Sequence, residues 1–101
     1  MNNKIIGTPQ RPRLYVYKSN KHIYAQIIDD INHYIICSHS TLSNNILKYS
    51  NCTNAKIVGQ QIASKLKNKQ IYNVIFDRGR NIYHGQIKAL ADATRQEGIN
   101  F

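Results

Sequence analysis

Basic and aromatic side chains are interleaved near the amino terminus, a combination that suits the chemistry of RNA binding. Arginine and lysine side chains reach phosphates, while tyrosines stack on unpaired bases or hydrogen-bond to a ribose hydroxyl. The cations here are Arg11, Arg13, Lys18 and Lys21, and the rings among them are Tyr15, Tyr17, His22 and Tyr24. We expect the cations to contact an RNA backbone. The tyrosines suit RNA contact and packing against a helix equally well, because Tyr is readily buried.

A second cluster follows a predicted buried strand and opens a predicted helix. Two arginines, Arg78 and Arg80, flank Gly79 in this loop, which runs from Asp77 to Gly85. Backbone N–H groups at a helix amino terminus favour an anion, and glycine lets the backbone approach a phosphate closely. The sequence therefore predicts a phosphate contact here, with an ordinary surface turn as the alternative.

The charge balance predicts a polyanionic partner. The chain has 101 residues, 14 Lys+Arg and 5 Asp+Glu, for a net charge of +9. Residues 1–21 and 48–69 each carry five basic residues and no acid. Such blocks attract RNA, DNA or any other polyanion, and the interleaved aromatic residues favour RNA over DNA. No Trp/Phe/Leu stripe accompanies the lysines, so we expect no membrane partner. The two cysteines and the absence of an apolar leader predict an intracellular protein.

The sequence predicts no catalysis, metal or cofactor. Its five acids are too few and too scattered for a two-metal nuclease, although a small metal-dependent nuclease on a ribonuclease-H-like sheet, using Asp77, stays open as an alternative. His33, Cys37 and His39 share one face of a strand by parity, but no CxxC or HxxxH pair accompanies them. Ordinary strand residues explain that pattern.

Hydrophobic periodicity predicts the α/β class, with a small mixed sheet in the order β-β-β-α-β-α. The predicted elements are strands over 14–18, 22–29 and 34–40, a helix from 53 or 54 to 68, a strand over 71–76 and a helix beginning near 83 or 84. Short turns make the first three strands an antiparallel meander, and the helix that follows brings the fourth strand in by a crossover. We expect the helices to pack on the sheet. Residues 1–13 read as an extended basic arm and 14–101 as a single domain.

Several short motifs, in one order along the chain, resemble the bacterial-type family of large-subunit ribosomal protein eighteen. They are GTPQRPRL at 7–14, SNKHIYAQ at 19–26, FDRG at 76–79, YHG at 83–85 and ALADA at 89–93. The resemblance covers residues 7–101 without large insertions. It implies a small mixed α/β domain that binds 5S rRNA. It further implies attachment of that RNA to the large-subunit rRNA in the central protuberance, beside a neighbouring 5S-associated ribosomal protein.

The same resemblance implies which residues face RNA. These are Arg11, Arg13, Lys18, Asn20, Lys21, His22, Tyr24, Thr41, Arg78, Arg80, Tyr83 and His84. Two departures stand out: only Lys4 precedes Gly7 where the family carries a longer basic arm, and Gln86 stands where an arginine often follows His-Gly. An RNA-binding module outside the ribosome is the remaining alternative.

Residue usage bears on the origin of the chain. Its 16 Ile, 12 Asn and 9 Lys have A/T-rich codons. With the shortened arm, this bias predicts a plastid-encoded family member in the chloroplast stroma, on the ribosome. The alternative is the cytoplasm of an AT-rich bacterium.

Overall fold

The computed structural model describes residues 6–19, 22–41, 52–79 and 85–101. The elements are strands β1 (Arg13–Lys18), β2 (Ile23–Asp29) and β3 (Tyr34–Ser40), helix α1 (Cys52–Asn68), strand β4 (Ile75–Asp77) and helix α2 (Gln86–Gln96). This order confirms the predicted α/β class. Neither helix in these ranges has the length and apolar character to cross a membrane.

The four strands form one mixed sheet in the order β3-β2-β1-β4. β2 runs antiparallel to both β1 and β3, whereas β4 runs parallel to β1. The antiparallel meander and the crossover strand are therefore confirmed. The crossover through α1 carries the chain from one outer strand, β3, across to the other, β4.

The two faces of the sheet differ because apolar and polar residues alternate along β1 and β2. Leu14, Val16, Ile23, Ala25 and Ile27 are fully buried, while the residues between them are half-buried. Both helices pack on this buried face. The predicted helix stripes are confirmed as buried, and they comprise Ala55, Val58, Ile62 and Leu66 in α1 and Ile87, Leu90, Ala91 and Thr94 in α2.

The two helices approach each other closely at Gly59. A Cβ atom added there would collide with the carbonyl oxygen of Leu90 and lie 3.0 Å from the Cβ of Ala93. The buried hydroxyl of Thr94 donates toward the Leu90 carbonyl at 2.8 Å and the Gly59 carbonyl at 3.2 Å. Glycine is thus required by the distance between the helices.

The fourth strand is shorter than the predicted 71–76. Only Ile75–Asp77 pairs with β1, opposite Arg13–Tyr15. The preceding residues bond elsewhere, since the N–H of Ile71 donates to Leu66 at the end of α1 and that of Val74 donates to Asn100. At the last helix, α2 begins at Gln86 after Gly85, whose φ is 55°, and the predicted start at 83–84 lies outside the described residues.

Candidate nucleic-acid interface

One end of the sheet brings together several of the residues predicted to face RNA. β1 ends at Lys18, which pairs with Ile23 at the start of β2, immediately after His22. Tyr24 pairs with Ser40 at the end of β3, and Thr41 follows. Because β4 runs parallel to β1, Arg78 follows β4 toward this same end. The topology therefore gathers residues from β1, β2 and the segment after β3 at this end, while Arg78 lies partway along β1, because β4 stops opposite Tyr15.

Arg11 and Arg13 lie at the opposite end of the sheet, where β1 begins. Arg11 is exposed and its Nε donates to the carbonyl of Val74 at 3.5 Å. β1 has six residues, so roughly 20 Å of strand separates the two ends. The structure thus divides the predicted RNA-facing residues into two groups.

Arg13 is held by two carboxylates of the fold. Its Nε and Nη2 donate to Asp30 at 3.0 and 3.1 Å, and its Nη1 donates to Asp77 at 2.9 Å. The hydrogen bonds that Arg13 donates to Asp30 raise the pKa of Arg13, and the contact with Asp77 raises it further. The guanidinium of Arg13 in turn lowers the pKa of Asp30, helped by the N–H of Gly7. Three of the five N–H donors of Arg13 are therefore engaged within the protein.

Three stacked tyrosines lie on the sheet face opposite the helices, and we call them the tyrosine ladder: Tyr15, Tyr17 and Tyr24. Ring centroids are 5.3 Å apart between Tyr15 and Tyr17, and 4.8 Å apart between Tyr17 and Tyr24. His22 extends the row, with its ring edge-on to Tyr24 at 6.4 Å. All four side chains are half-buried. The ladder packs against itself, since both described helices lie on the other face.

Thr41 holds the ring of His22 in place. Its side chain is fully buried, and its Oγ1 lies 2.9 Å from Nδ1 of His22. The same oxygen accepts the N–H of Ile23 at 3.1 Å. A direct contact between Thr41 and RNA stays a prediction, whereas its positioning of His22 is visible in the structure.

The loop after β4 begins with a turn built by Asp77. The Oδ1 of Asp77 accepts the N–H of Gly79 at 2.8 Å, while its Oδ2 binds Arg13. Gly79 has φ of 59° and packs beside the ring of Tyr15. Arg78 is exposed between them. The other predicted residues, Asn20, Lys21, Arg80, Tyr83 and His84, lie outside the described residues.

Every carboxylate of the chain accepts a hydrogen bond from the protein itself. Asp29 accepts from the backbone of Ile31 and Asn32, and Asp30 and Asp77 bind Arg13. On the helices, Asp92 pairs with Lys88, as the sequence predicts, and with Arg95, while Glu97 pairs with Lys67. All five acids are thus engaged in contacts within the fold, and the chain keeps a net charge of +9.

His33, Cys37 and His39, which strand alternation would place on one face, do not form a cluster in the fold. His33 lies in the turn before β3 with φ of 57°, while Cys37 and His39 pair with Ile27 and Ala25 on the helix-covered face. Burial raises the pKa of the Cys37 thiol. Within the described ranges, no three His, Cys, Asp or Glu side chains come together as a metal-binding group.

Sequence reasoning missed how the tyrosines and Arg13 are arranged. The alternation along β1 places Tyr15 and Tyr17 on one face, but the stacking of Tyr17 on Tyr24 depends on the β1–β2 register, where these two residues are directly paired. The short turn between the two strands is the one sequence signal for that register.

Comparison with known proteins agrees with the family resemblance in the sequence. The family described as "Ribosomal L18 of archaea, bacteria, mitoch. and chloroplast" matches residues 1–101. The chain is 58% identical over 105 residues to "Large ribosomal subunit protein uL18c" of Gracilaria tenuistipitata var. liui, with full coverage of both chains. It is 54% identical to "Large ribosomal subunit protein uL18" of Caldanaerobacter subterraneus subsp. tengcongensis, covering 97% of this chain and 84% of that protein. It is 52% identical to the uL18c protein of Guillardia theta, covering 98% and 96%. The chain therefore belongs to the ribosomal L18 family, as a structural, rRNA-binding component of the large ribosomal subunit rather than an enzyme.

Proposed function

We propose that this chain binds 5S rRNA and helps attach it to the large-subunit rRNA in the central protuberance, beside another 5S-associated protein. The family resemblance implies this role, and one observation on the structure supports it best. Lys18 and His22 lie beside Tyr24 at one end of the tyrosine ladder, and Arg78 follows β4 next to Tyr15 at the other. Cations beside tyrosine hydroxyls fit an RNA backbone with its ribose hydroxyls.

The stacking within the ladder favours one mode of contact between its tyrosines and RNA. Tyr17 has Tyr15 on one side and Tyr24 on the other, at centroid distances of 5.3 and 4.8 Å. Rings stacked on each other leave little room for a base between them. We therefore assign the ladder to hydrogen bonds from hydroxyl groups to ribose or phosphate, rather than to base stacking. This mode suits folded RNA, which proteins recognise largely by shape and by 2′-hydroxyl contacts.

The two ends of the sheet would hold two RNA segments. Lys18, His22 and Tyr24 form one contact region, and Arg11, in the proposed arm over 1–13, forms the other. The further residues proposed to contact RNA are Asn20, Lys21, Arg78, Arg80, Tyr83 and His84. A single RNA helix running along the sheet, or two neighbouring segments, would span the roughly 20 Å between them.

Binding to isolated 5S rRNA tests the proposal. In filter binding from about 50 to about 200 mM salt, log K should fall by roughly 0.7–0.9 for each phosphate neutralised, per log unit of salt. An unrelated RNA of matched length is the control, and it should bind more weakly at every salt concentration. Equal affinity for both RNAs, or a response that is flat with salt, would overturn the proposed recognition of 5S rRNA.

We infer further that the chain works on plastid ribosomes. Two similar proteins, from Gracilaria tenuistipitata and Guillardia theta, carry the name uL18c, and the A/T-biased residue usage agrees with an organelle genome. Bacterial uL18 proteins are nearly as similar. Cell fractionation followed by sucrose-gradient sedimentation tests this: the chain should sediment with plastid large subunits. Recovery at the top of the gradient would instead indicate a module outside the ribosome.

A further inference from the structure

His22, the residue directly before β2, is held in place by three neighbours. The N–H of Ser19 donates to the carbonyl of His22 at 2.9 Å, and the N–H of His22 donates to Oγ of Ser19 at 3.3 Å. The His22 ring lies edge-on to Tyr24, and its Nδ1 is 2.9 Å from Oγ1 of Thr41. Both the backbone and the ring of His22 are therefore fixed by contacts within the protein.

The hydrogen bonds of Thr41 determine which nitrogen of His22 carries the ring hydrogen. A threonine hydroxyl has one hydrogen to donate and two lone pairs that accept. Oγ1 of Thr41 accepts the N–H of Ile23 at 3.1 Å. A backbone N–H can only donate, so within the described residues Nδ1 of His22 is the one bonded partner that can accept the hydroxyl hydrogen.

The burial of Thr41 makes the two neutral tautomers of His22 unequal. Thr41 is fully buried. If Nδ1 carried the hydrogen, it would donate to Oγ1, and the hydroxyl hydrogen of Thr41 would be buried without an acceptor, which is costly. If Nε2 carries the hydrogen, the hydroxyl donates to Nδ1 and both groups are satisfied. The contact thus favours the tautomer with its hydrogen on Nε2.

Nε2 is the nitrogen of His22 that is available to a ligand. It lies across the ring from Nδ1, and within the described residues it has no hydrogen-bond partner and is not among the buried polar atoms. Lys18, which is exposed, pairs with Ile23 next to His22. An N–H donor held beside an exposed lysine is well placed to reach an oxygen of an RNA backbone.

We propose that Thr41 is a positioning residue that fixes His22 as a neutral ring with its hydrogen on Nε2, and that this N–H donates to a phosphate or ribose oxygen of bound RNA. The inference rests on the proposed RNA-binding function and gives His22 a role different from that of Lys18. A lysine neutralises a phosphate and releases counterions, whereas a neutral N–H adds one directional hydrogen bond and releases none.

Nitrogen NMR on the protein without RNA tests the tautomer, at about pH 8, where histidine side chains are neutral. Long-range proton–nitrogen correlations on isotope-labelled histidine distinguish a ring nitrogen that carries hydrogen from one that does not. We expect a bare Nδ1 and a hydrogen-bearing Nε2 for His22. His22→Gln identifies these signals among the four histidines by their loss. The opposite pattern, or averaged shifts at both nitrogens, would overturn the proposal.

Thr41→Ser and Thr41→Val separate the hydroxyl from the shape of the Thr41 side chain. Serine keeps the hydroxyl, so the nitrogen signals of His22 should keep the parent pattern. Valine has the shape of threonine without the hydroxyl, so the two nitrogens should move toward averaged shifts. The parent pattern in Thr41→Val would contradict the positioning role. If the valine variant does not fold, the spectrum of the parent chain still decides the tautomer.

Binding to 5S rRNA at several salt concentrations tests the contact made by Nε2. His22→Phe keeps an aromatic ring and removes the N–H, so affinity should fall about fivefold, as for one lost hydrogen bond. The slope of log K against log salt should stay that of the parent, whereas Lys18→Ala, the control for charge, should lower it by roughly 0.7–0.9. His22→Gln, whose amide N–H can replace that of Nε2, should recover most of the affinity.

Parent affinity in His22→Phe, or a salt slope lowered as in Lys18→Ala, would overturn the neutral contact. Failure of the proposed function looks different, because the parent chain itself would then not bind 5S rRNA. The NMR result does not depend on RNA and would decide the tautomer in either case.

Discussion

Arg13 and Asp77 meet at 2.9 Å between Nη1 and Oδ2, and this pair joins the first residue of β1 to the last residue of β4. The two residues are not register partners, because Arg13 lies opposite Ile75 and Asp77 lies opposite Tyr15. The side chains therefore lean along the sheet to make contact. Since Asp77 also accepts the N–H of Gly79, the same carboxylate ties β4 to β1 and forms the turn that contains Arg78.

Replacing Arg13 with alanine should destabilise the protein. Asp30 and Asp77 would each lose a charged hydrogen-bond donor in a partly buried site, at a cost of about 1–2 kcal/mol once solvent screening is allowed for. Urea unfolding monitored by circular dichroism measures the loss as a lower midpoint at constant slope.

Arg13→Lys provides the matched control for charge. A lysine cannot reproduce the bidentate contact with Asp30, so most of the loss should remain. Lys18→Ala, at an exposed position, should change the free energy of unfolding by less than about 0.5 kcal/mol. Equal stability of Arg13→Ala and Lys18→Ala would show that the ion pairs contribute nothing.

Asp30 should make stability depend on pH in the acid range. Its pKa is lowered in the folded state, chiefly by Arg13. The unfolded chain therefore binds a proton more readily, and the stabilisation is fully present above the unfolded-state pKa of about 3.9. It is lost as the pH falls through the lower folded-state pKa.

Urea midpoints measured from about pH 6 down to about pH 2.5 check this dependence. Asp30→Asn should be less stable than the parent near neutral pH, and the difference should shrink toward the acid end. A constant difference across the whole range would mean that Asp30 titrates alike in the folded and unfolded states.

Gly59→Ala should destabilise the contact between α1 and α2. Alanine favours a helix over glycine by roughly 1 kcal/mol, but the added methyl group would collide with the Leu90 carbonyl. Overpacking of this kind costs about 1–3 kcal/mol, so we expect a lower thermal midpoint. Gln60→Ala, at the next and exposed position of α1, is the control and should leave the midpoint nearly unchanged. A more stable Gly59→Ala protein would show that the helices separate at little cost.

Arg78→Ala should weaken RNA binding and leave stability intact. The side chain is exposed, and the turn around it is built by Asp77 and Gly79. Loss of one phosphate contact should reduce affinity about fivefold at low salt and lower the salt slope by roughly 0.7–0.9. Lys56→Ala, an exposed position on α1, removes the same charge and should have a smaller effect. Intact RNA binding with a large drop in melting temperature would show that Arg78 stabilises the fold instead of binding RNA.

The fold followed from local patterns wherever those patterns determine burial. Alternation along β1 and β2 and the apolar stripes of α1 and α2 predict the core correctly, because side-chain period and burial are linked residue by residue. The length of β4 did not follow, since it depends on distant partners. Val74, apolar and β-branched, reads as strand, yet its N–H bonds to Asn100 at the far end of the chain.

In the candidate site, too, residue types could be predicted from the sequence, but contacts between residues far apart in the chain could not. Arg11 and Arg13 look equivalent in sequence, two positions apart on one basic segment. In the fold Arg11 stays exposed, whereas Arg13 binds Asp30 and Asp77, which are 17 and 64 residues away. Residue type predicts an affinity for anions in both cases. Only the tertiary structure shows that carboxylates of the same chain bind Arg13, and contact of either arginine with RNA stays a prediction.

The tyrosine ladder also gives the protein a built-in optical probe. The chain has seven tyrosines and no tryptophan, so its intrinsic fluorescence comes from tyrosine alone. Three of these rings stack on the open face of the sheet, next to the proposed RNA contacts. RNA settling on that face would change the emission of these rings without any attached label. A Tyr17→Phe variant would report how much of the signal originates in the middle of the stack.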